Sequence, residues 1–241
     1  MIFLIIGANS ELTKNIINSS GDEDKFILIS KSTISLKSKK IVDKFTLDLR
    51  KDKDFLRLSK IIKKSKPKNI IIPMVVYYDD DYFINLKKAN QVYKINYLAV
   101  VKIINFLIQG NDLKYHKNIV LFGSISSLIG RNYNVYYSSF KRALDSLIES
   151  IIYSDFKNLT IHYYKLGYLD TQKNKKNNKV LFLKARLDYL SNLIIKNIYL
   201  RKSSNIFIYP FYWRLIIFII KNIPLCILKR VITSFSKIKE Y

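Results

Sequence analysis

The chain has 241 residues, 49% of them hydrophobic, which is enough for one α/β domain with a sizeable core and excludes intrinsic disorder. Its 42 Lys and Arg against 18 Asp and Glu leave a net charge of +24, pointing to nucleic acid, an anionic membrane surface or an anionic ligand. Average usage of about 7% would give roughly 17 glycines, and the chain has 6, so collagen-like, linker-rich and low-complexity classes are excluded.

Ile2 to Ile6 is a continuous apolar run ending at Gly7, the pattern of a buried parallel strand entering a tight turn. Asn9 and Ser10 can cap the helix that follows, with Leu12, Ile16 and Ile17 on its inner face. Strands are expected at Phe26 to Ser30 and Phe45 to Leu49, then an amphipathic helix from Asp54 to Ser65 closed by Pro67. Asn69 to Val76 reads as a fourth strand, and Ile84 to Gln109 as a long helix closed by Gly110. Asn118 to Phe122 is a fifth strand, followed by a turn region from Gly123 to Gly130, and Tyr136 to Ser154 is helical. Leu159 to Tyr164 and Asn205 to Tyr209 complete seven strands, and Gln172 to Lys179 reads as a mobile loop. Strands alternating with helices at this spacing give a doubly wound parallel sheet with helices on both faces.

The single cysteine, Cys226, excludes a disulfide framework and a cysteine-based zinc site. It lies in an apolar run and reads as buried and inert. Two histidines, His116 and His162, are too few for a histidine-built metal centre, and both read as structural or surface residues. Met1 to Ile6 is too short for a signal peptide and lacks a basic leader, so a cytoplasmic location is expected.

The charge is uneven. Residues 1–170 hold 27 basic and 16 acidic side chains, and residues 171–241 hold 15 basic and 2 acidic. An abundance of Lys, Asn, Ile and Tyr throughout accounts for part of the excess but not for the asymmetry. No nucleic-acid-binding motif accompanies the basic residues, so a nucleic-acid partner is not expected.

Two stretches carry chemistry. A glycine turn between a strand and a helix N-terminus is where dinucleotide phosphates sit, because backbone amides and the helix dipole point at the anion. Here that turn reads Ile6-Gly7-Ala8-Asn9-Ser10-Glu11-Leu12-Thr13, making Gly7, Asn9, Ser10 and Leu12 the candidate contacts. The second stretch is Tyr137-Ser138-Ser139-Phe140-Lys141. Positions i and i+4 share a helix face, so the Lys141 ammonium lies one turn from Tyr137 and favours its tyrosinate. Tyr137 is thus suited to protonate a developing alkoxide. Ser124 lies thirteen residues earlier, at the end of a strand, where ligand and catalytic groups belong.

This order of residues resembles the short-chain dehydrogenase/reductase family over about residues 1–171. The resemblance implies a Rossmann-type fold and hydride transfer between a nicotinamide and a carbonyl carbon. It assigns Tyr137, Lys141 and Ser124 to the active site, with Asn96 in Lys94-Ile95-Asn96-Tyr97 helping to hold a proton-relay water. Asp48, followed by Leu49, matches the aspartate that contacts adenine. Gly167-Tyr168-Leu169-Asp170-Thr171 matches the stretch beside the nicotinamide, giving Gly167, Leu169 and Thr171 as cofactor contacts. Lys31 sits where the family often meets the 2′-phosphate of NADP, so NADP(H) is expected over NAD(H). The departures are Glu11 and Thr13 in place of the second and third glycines of the phosphate loop, and Ile72-Pro73-Met74-Val75 near the place of an Asn-Asn-Ala-Gly. Glu11 would weaken pyrophosphate binding unless it turns away, and Thr13 would crowd the helix–strand contact. A catalytically degenerate relative that binds a membrane surface or a partner is the alternative.

The C-terminal residues 210–241 read as a helical extension of the domain formed by residues 1–209. The apolar run Ile206 to Ile220 is too short to span a bilayer, carries Arg214, and is interrupted by Pro210 and followed by Pro224. Its aromatics and basic neighbours suit either an amphipathic helix lying in a membrane interface or a helix serving as an oligomer contact or substrate lid. The arrangement looks like reductases of bacterial surface-polysaccharide and polyprenyl-phosphate-sugar pathways. That resemblance implies a keto-sugar or lipid-linked sugar substrate, peripheral membrane contact and a homo-oligomer.

Overall fold

The computed structural model describes residues 1–78, 85–109, 116–128, 130, 134–171, 185–224 and 226–230. The elements in chain order are β1 (Ile2–Ile6), α1 (Glu11–Ser19), β2 (Lys25–Ser30), β3 (Ile41–Thr46), α2 (Asp52–Ser65) and β4 (Asn69–Ile72). Then come α3 (Leu86–Tyr93), a π-helical segment Lys94–Leu98, α4 (Ala99–Gln109), β5 (Lys117–Ser124) and a 3-10 turn Ile125–Ser127. The rest is α5 (Val135–Tyr153), β6 (Leu159–Leu166), α6 (Leu187–Tyr199), β7 (Asn205–Tyr209) and α7 (Trp213–Asn222).

The seven strands form one parallel sheet in the order β3-β2-β1-β4-β5-β6-β7. Side chains alternate across a strand, so Leu4 and Ile6 join one core with Ile103, Leu121, Leu144 and Ile148 from α4, β5 and α5. Phe3 and Ile5 join the other, with Ile16 from α1 and Leu190 and Ile194 from α6. Burial on both faces explains why β1, β4 and β5 read as continuous apolar runs. The strand order reverses between β1 and β4, and the crevice outside their carboxyl ends is where such a fold binds ligands.

Several expectations are corrected in detail. The third strand is Ile41–Thr46, not Phe45 to Leu49. It is a solvent-washed edge strand with Val42, Asp43 and Lys44 exposed, so no apolar run marks it. Leu47 and Leu49 are buried from the loop beyond it. The fourth strand stops at Ile72, because Pro73 has no N–H for the ladder. Gly123 continues β5 rather than opening a turn, and β6 runs on to Leu166. The long helix begins at Leu86, capped by Asn85, and is interrupted by the π segment. Ile84, Gly110 and Gln172 to Lys179 lie outside the described residues. Helix α6 carries its apolar residues at helical spacing (Leu187, Leu190, Ile194, Ile195, Ile198) and adds an element between β6 and β7 to those expected.

Leu86–Gln109 is the one described run long and apolar enough to cross a membrane. Its residues Ala99, Val100, Ile103, Ile104 and Leu107 are core residues of the sheet layer. Cys226 is exposed rather than buried, since the residues flanking it after Pro224 lie largely on the surface. His162 is buried and structural, its Nε2 3.0 Å from the Lys202 carbonyl oxygen, and burial lowers its pKa.

Candidate active site

The phosphate-loop end is built around Gly7. Its φ is +108°, and a Cβ there would lie 2.5 Å from the Met74 backbone nitrogen, so only glycine fits. Met74 donates its N–H to the Ile6 carbonyl (3.1 Å), which ties the end of β4 to this turn. Ser10 caps α1 by accepting from the Thr13 N–H (3.2 Å). Thr13 is fully buried without displacing anything, because its hydroxyl lies 2.9 Å from Ser10 Oγ and completes the cap. Asn9 donates to Ser32 Oγ (2.9 Å) and the Thr33 carbonyl (3.1 Å), joining this loop to the one after β2. Glu11 occupies the first turn of α1, where a carboxylate meets the positive end of the dipole. Leu12 points into the core with Ile16 and is not among the residues lining the cavity.

That cavity has a volume of about 390 Å³ and is walled by Gly7, Asn9, Ser10, Lys31, Asp48 and Leu49 among others. Sequence reasoning missed Arg50 in its wall. Arg50 grips both carboxylate oxygens of Asp48 and donates from Nη1 to Gln91 Oε1 (3.1 Å). This pairing holds the Asp48 carboxyl below the usual carboxylate range, with the nearby Lys31 adding to the effect. The adjacent Asp48-Leu49-Arg50 triplet was the available signal, since Arg beside Asp favours a bidentate pair. Val76 lines the same wall and is held by Asn96 of the π segment, whose side chain accepts from the Val76 N–H (2.8 Å) and donates to its carbonyl (2.7 Å). Asn96 is fully buried, and its side-chain amide makes this clamp in both directions.

Further along the carboxyl edge, β5 ends at Ser124, whose Oγ accepts from the Ser126 N–H (3.1 Å). Accepting there leaves the Ser124 hydroxyl proton for another group. On α5, Lys141 Nζ lies 5.9 Å from the Tyr137 ring centroid and donates to the Phe122 carbonyl (2.7 Å). Burial lowers the Lys141 ammonium from 10.5 to about 8, while the Asp145 carboxylate pulls the other way. Tyr137 is half-buried and meets Tyr77 edge-on, ring centroids 5.2 Å apart. Tyr77 Oη is bonded by Asn134 Nδ2 (2.7 Å), from the residue that opens α5.

Beneath these groups lies Asp145, one turn beyond Lys141. Its carboxylate meets Tyr163 Oη (2.5 Å), Ser127 Oγ (2.6 Å) and Lys165 Nζ (3.2 Å). Ser127 Oγ also lies 2.6 Å from the Ser124 carbonyl oxygen, so the carboxylate braces the turn that carries Ser124. Burial, then the Asp145 charge, push the Tyr163 phenol well above its ordinary range.

Gly167, Leu169 and Thr171 follow β6. Gly167 donates to the Tyr209 carbonyl (2.8 Å), and a Cβ on it would collide with the Trp213 indole nitrogen. Leu169 bridges to Ala185, and the Thr171 N–H donates to the Leu169 carbonyl (2.9 Å). These three, with Ser124, Tyr137 and Lys141, stand outside the lining of the 390 Å³ cavity. Segments 131–133 and 172–184 lie outside the described residues.

No protein-family model matches this sequence, and no curated protein sequence matches it. Solved structures do match in shape. A short chain dehydrogenase family protein from Francisella tularensis subsp. tularensis SCHU S4 aligns with a TM-score of 0.73 at 18% identity, over 86% of this chain and 96% of that one. A 4-hydroxyisoleucine dehydrogenase complexed with NADH aligns at 0.74 and 16%, over 86% and 96%. A short chain dehydrogenase from Leptospira borgpetersenii serovar Hardjo-bovis with bound NAD+ aligns at 0.69 and 12%, over 86% and 90%. The chain has the short-chain dehydrogenase fold.

Within this short-chain dehydrogenase fold the residues present fit a dinucleotide. Gly7 lets the backbone turn under a phosphate, the dipole of α1 favours an anion, and Lys31 and Arg50 outnumber Asp48 in the cavity wall. Among the described residues no cluster of His, Cys, Asp and Glu could hold a metal ion.

Proposed function

We propose that this chain is an NAD(P)-dependent oxidoreductase that reduces a carbonyl group. The observation that carries the reading is the Tyr137–Lys141 pair on α5. Lys141 is buried against the end of β5 with its ammonium facing the tyrosine ring, and β5 ends at Ser124. A bound reduced nicotinamide would supply the hydride. Ser124, with its hydroxyl proton uncommitted to Ser126, donates a hydrogen bond to the substrate carbonyl oxygen and polarises it. Tyr137 gives its phenolic proton to the same oxygen as charge develops there. The Lys141 ammonium stabilises the tyrosinate left behind and can contact the nicotinamide ribose. Asn96 keeps the β4 exit and the helix that faces α5 in register, supporting proton supply to this site. The Lys31 side of the cavity favours NADP(H) over NAD(H), since a 2′-phosphate gains from a cation there.

For the substrate, we read a keto-sugar, free or linked to a polyprenyl phosphate. The support is the basic, apolar character of the last 71 residues, which suits an anionic, membrane-held substrate. The second reading, a catalytically degenerate binding module, draws on Glu11 at the phosphate end of α1. The test is Tyr137→Phe, assayed for NADPH consumption against a panel of carbonyl compounds that includes keto-sugars. Turnover should fall by about a thousandfold or more while NADPH affinity stays within about twofold. Unchanged turnover in that variant would overturn the mechanism.

A further inference from the structure

Helix α7 has two apolar faces, and the fold uses one. Trp213 and Ile217 pack inward against Ile125. Leu215, Phe218 and Ile219 lie on the opposite side, 65%, 65% and 50% exposed. Arg214 and Lys221 are also exposed. They stand seven residues apart, within about 20° of two full helical turns, so both run along one flank of the outer apolar strip. Past Pro224 the chain adds exposed Ile227, then exposed Lys229 and Arg230. Residues 205–241 hold six basic side chains and one acidic, Glu240.

We propose that α7 docks flat on an anionic lipid surface. Leu215, Phe218 and Ile219 enter the boundary between headgroups and acyl chains, while the long stems of Arg214 and Lys221 carry their charges back to the lipid phosphates. A second copy of the chain suits this face poorly. An antiparallel two-fold pairing of α7 would bring the cationic flanks of both copies together. A ten-residue helix, about 15 Å long, also offers far less than the about 800 Å² per partner of a stable dimer. Docking has a consequence for the site. The Trp213 indole fills the space beside Gly167 and packs with Ile125, the residue after Ser124, so the lipid surface would lie next to the substrate end of the carboxyl edge. That consequence rests on the oxidoreductase reading, whereas the docking does not.

The experiment is flotation of the full-length protein with vesicles of phosphatidylcholine alone or mixed with phosphatidylglycerol. The protein should float with the anionic vesicles, stay behind with the neutral ones, and be released by high salt. Leu215→Glu combined with Phe218→Glu should abolish flotation with the unfolding midpoint unchanged, since both side chains are exposed. Arg214→Gln combined with Lys221→Gln should weaken binding to anionic vesicles about thirtyfold. Tyr137→Phe should float like the wild type, which separates this claim from the enzymatic one. Failure of the wild type to float, equal binding to both vesicle types, or flotation of the double Glu variant would each overturn the proposal. So would a wild-type dimer that the Glu variant splits, without flotation of either.

Discussion

Lys141 is a cation kept where a cation is costly. Its pKa falls from 10.5 to about 8 through burial, so the folded chain releases its proton earlier than the unfolded chain does. Below pH 8 both states hold the proton and the full penalty stands, of the order of 3 kcal/mol. Between pH 8 and 10.5 the unfolded state binds more protons, so this group's contribution to stability improves as pH rises. Two outcomes are expected. Lys141→Met should be inactive yet unfold in urea at pH 7 no earlier than the wild type, and an earlier midpoint would show that the amine stabilises. Wild-type reduction should decline as pH rises through about 8, when the ammonium is lost. Lys31 is a simpler case, an exposed cation at the cavity wall. Lys31→Ala should weaken NADPH about tenfold or more in a fluorescence titration and leave NADH nearly unchanged. Equal losses for both would remove Lys31 from the phosphate contact. The placement of Tyr137 and Lys141 one turn apart on α5, and of Ser124 at the end of β5, was legible from spacing and order. Arg50, Asp145 and Trp213 were not, because their roles depend on partners distant in sequence, such as Gln91, Tyr163 and Gly167.

Among the elements, the interrupted helix between Leu86 and Gln109 carries the most consequence. The π segment Lys94–Leu98 packs against α5 and presents Asn96 to the β4 exit. π-bulges in helices often mark functional sites. Asn96→Ala leaves the N–H and carbonyl of Val76 without this partner inside the protein, a loss of about 1–3 kcal/mol. The expected readout is an earlier urea midpoint together with weaker NADPH binding, because Val76 lines the cavity. A variant as stable as the wild type would contradict the clamp. Sequence periodicity marked the apolar face of this helix but could not show the extra residue per turn. It marked β1 and the centres of β4 and β5 for a simpler reason: Ile2–Ile6, Ile70–Ile72 and Ile119–Phe122 are continuously apolar, as strands buried on both faces are. The edge strand β3 offered no such run, and α6 was legible by spacing but lay beyond a Lys/Asn-rich stretch that masked its start.

At the scale of the whole molecule, charge and glycine divide by place. Asp24, Asp48 and Asp145 are paired within the fold, with the N-terminal ammonium, Arg50 and Lys165 respectively. The basic excess is concentrated after residue 170, around the helix whose outer face is apolar. Three of the six glycines stand where a Cβ has no room: Gly7 under Met74, Gly123 under Tyr163, Gly167 under Trp213. The phosphate loop tolerates Thr13 because its hydroxyl joins the Ser10 cap, while Glu11 remains the residue most opposed to an anion there. Fluorescence titration of NADPH and NADH against the wild-type chain therefore tests the central claim most directly. Saturable binding below millimolar cofactor, tighter for NADPH and preserved in Tyr137→Phe, is the predicted result. No binding of either nucleotide at millimolar concentration would contradict an NAD(P)-dependent oxidoreductase.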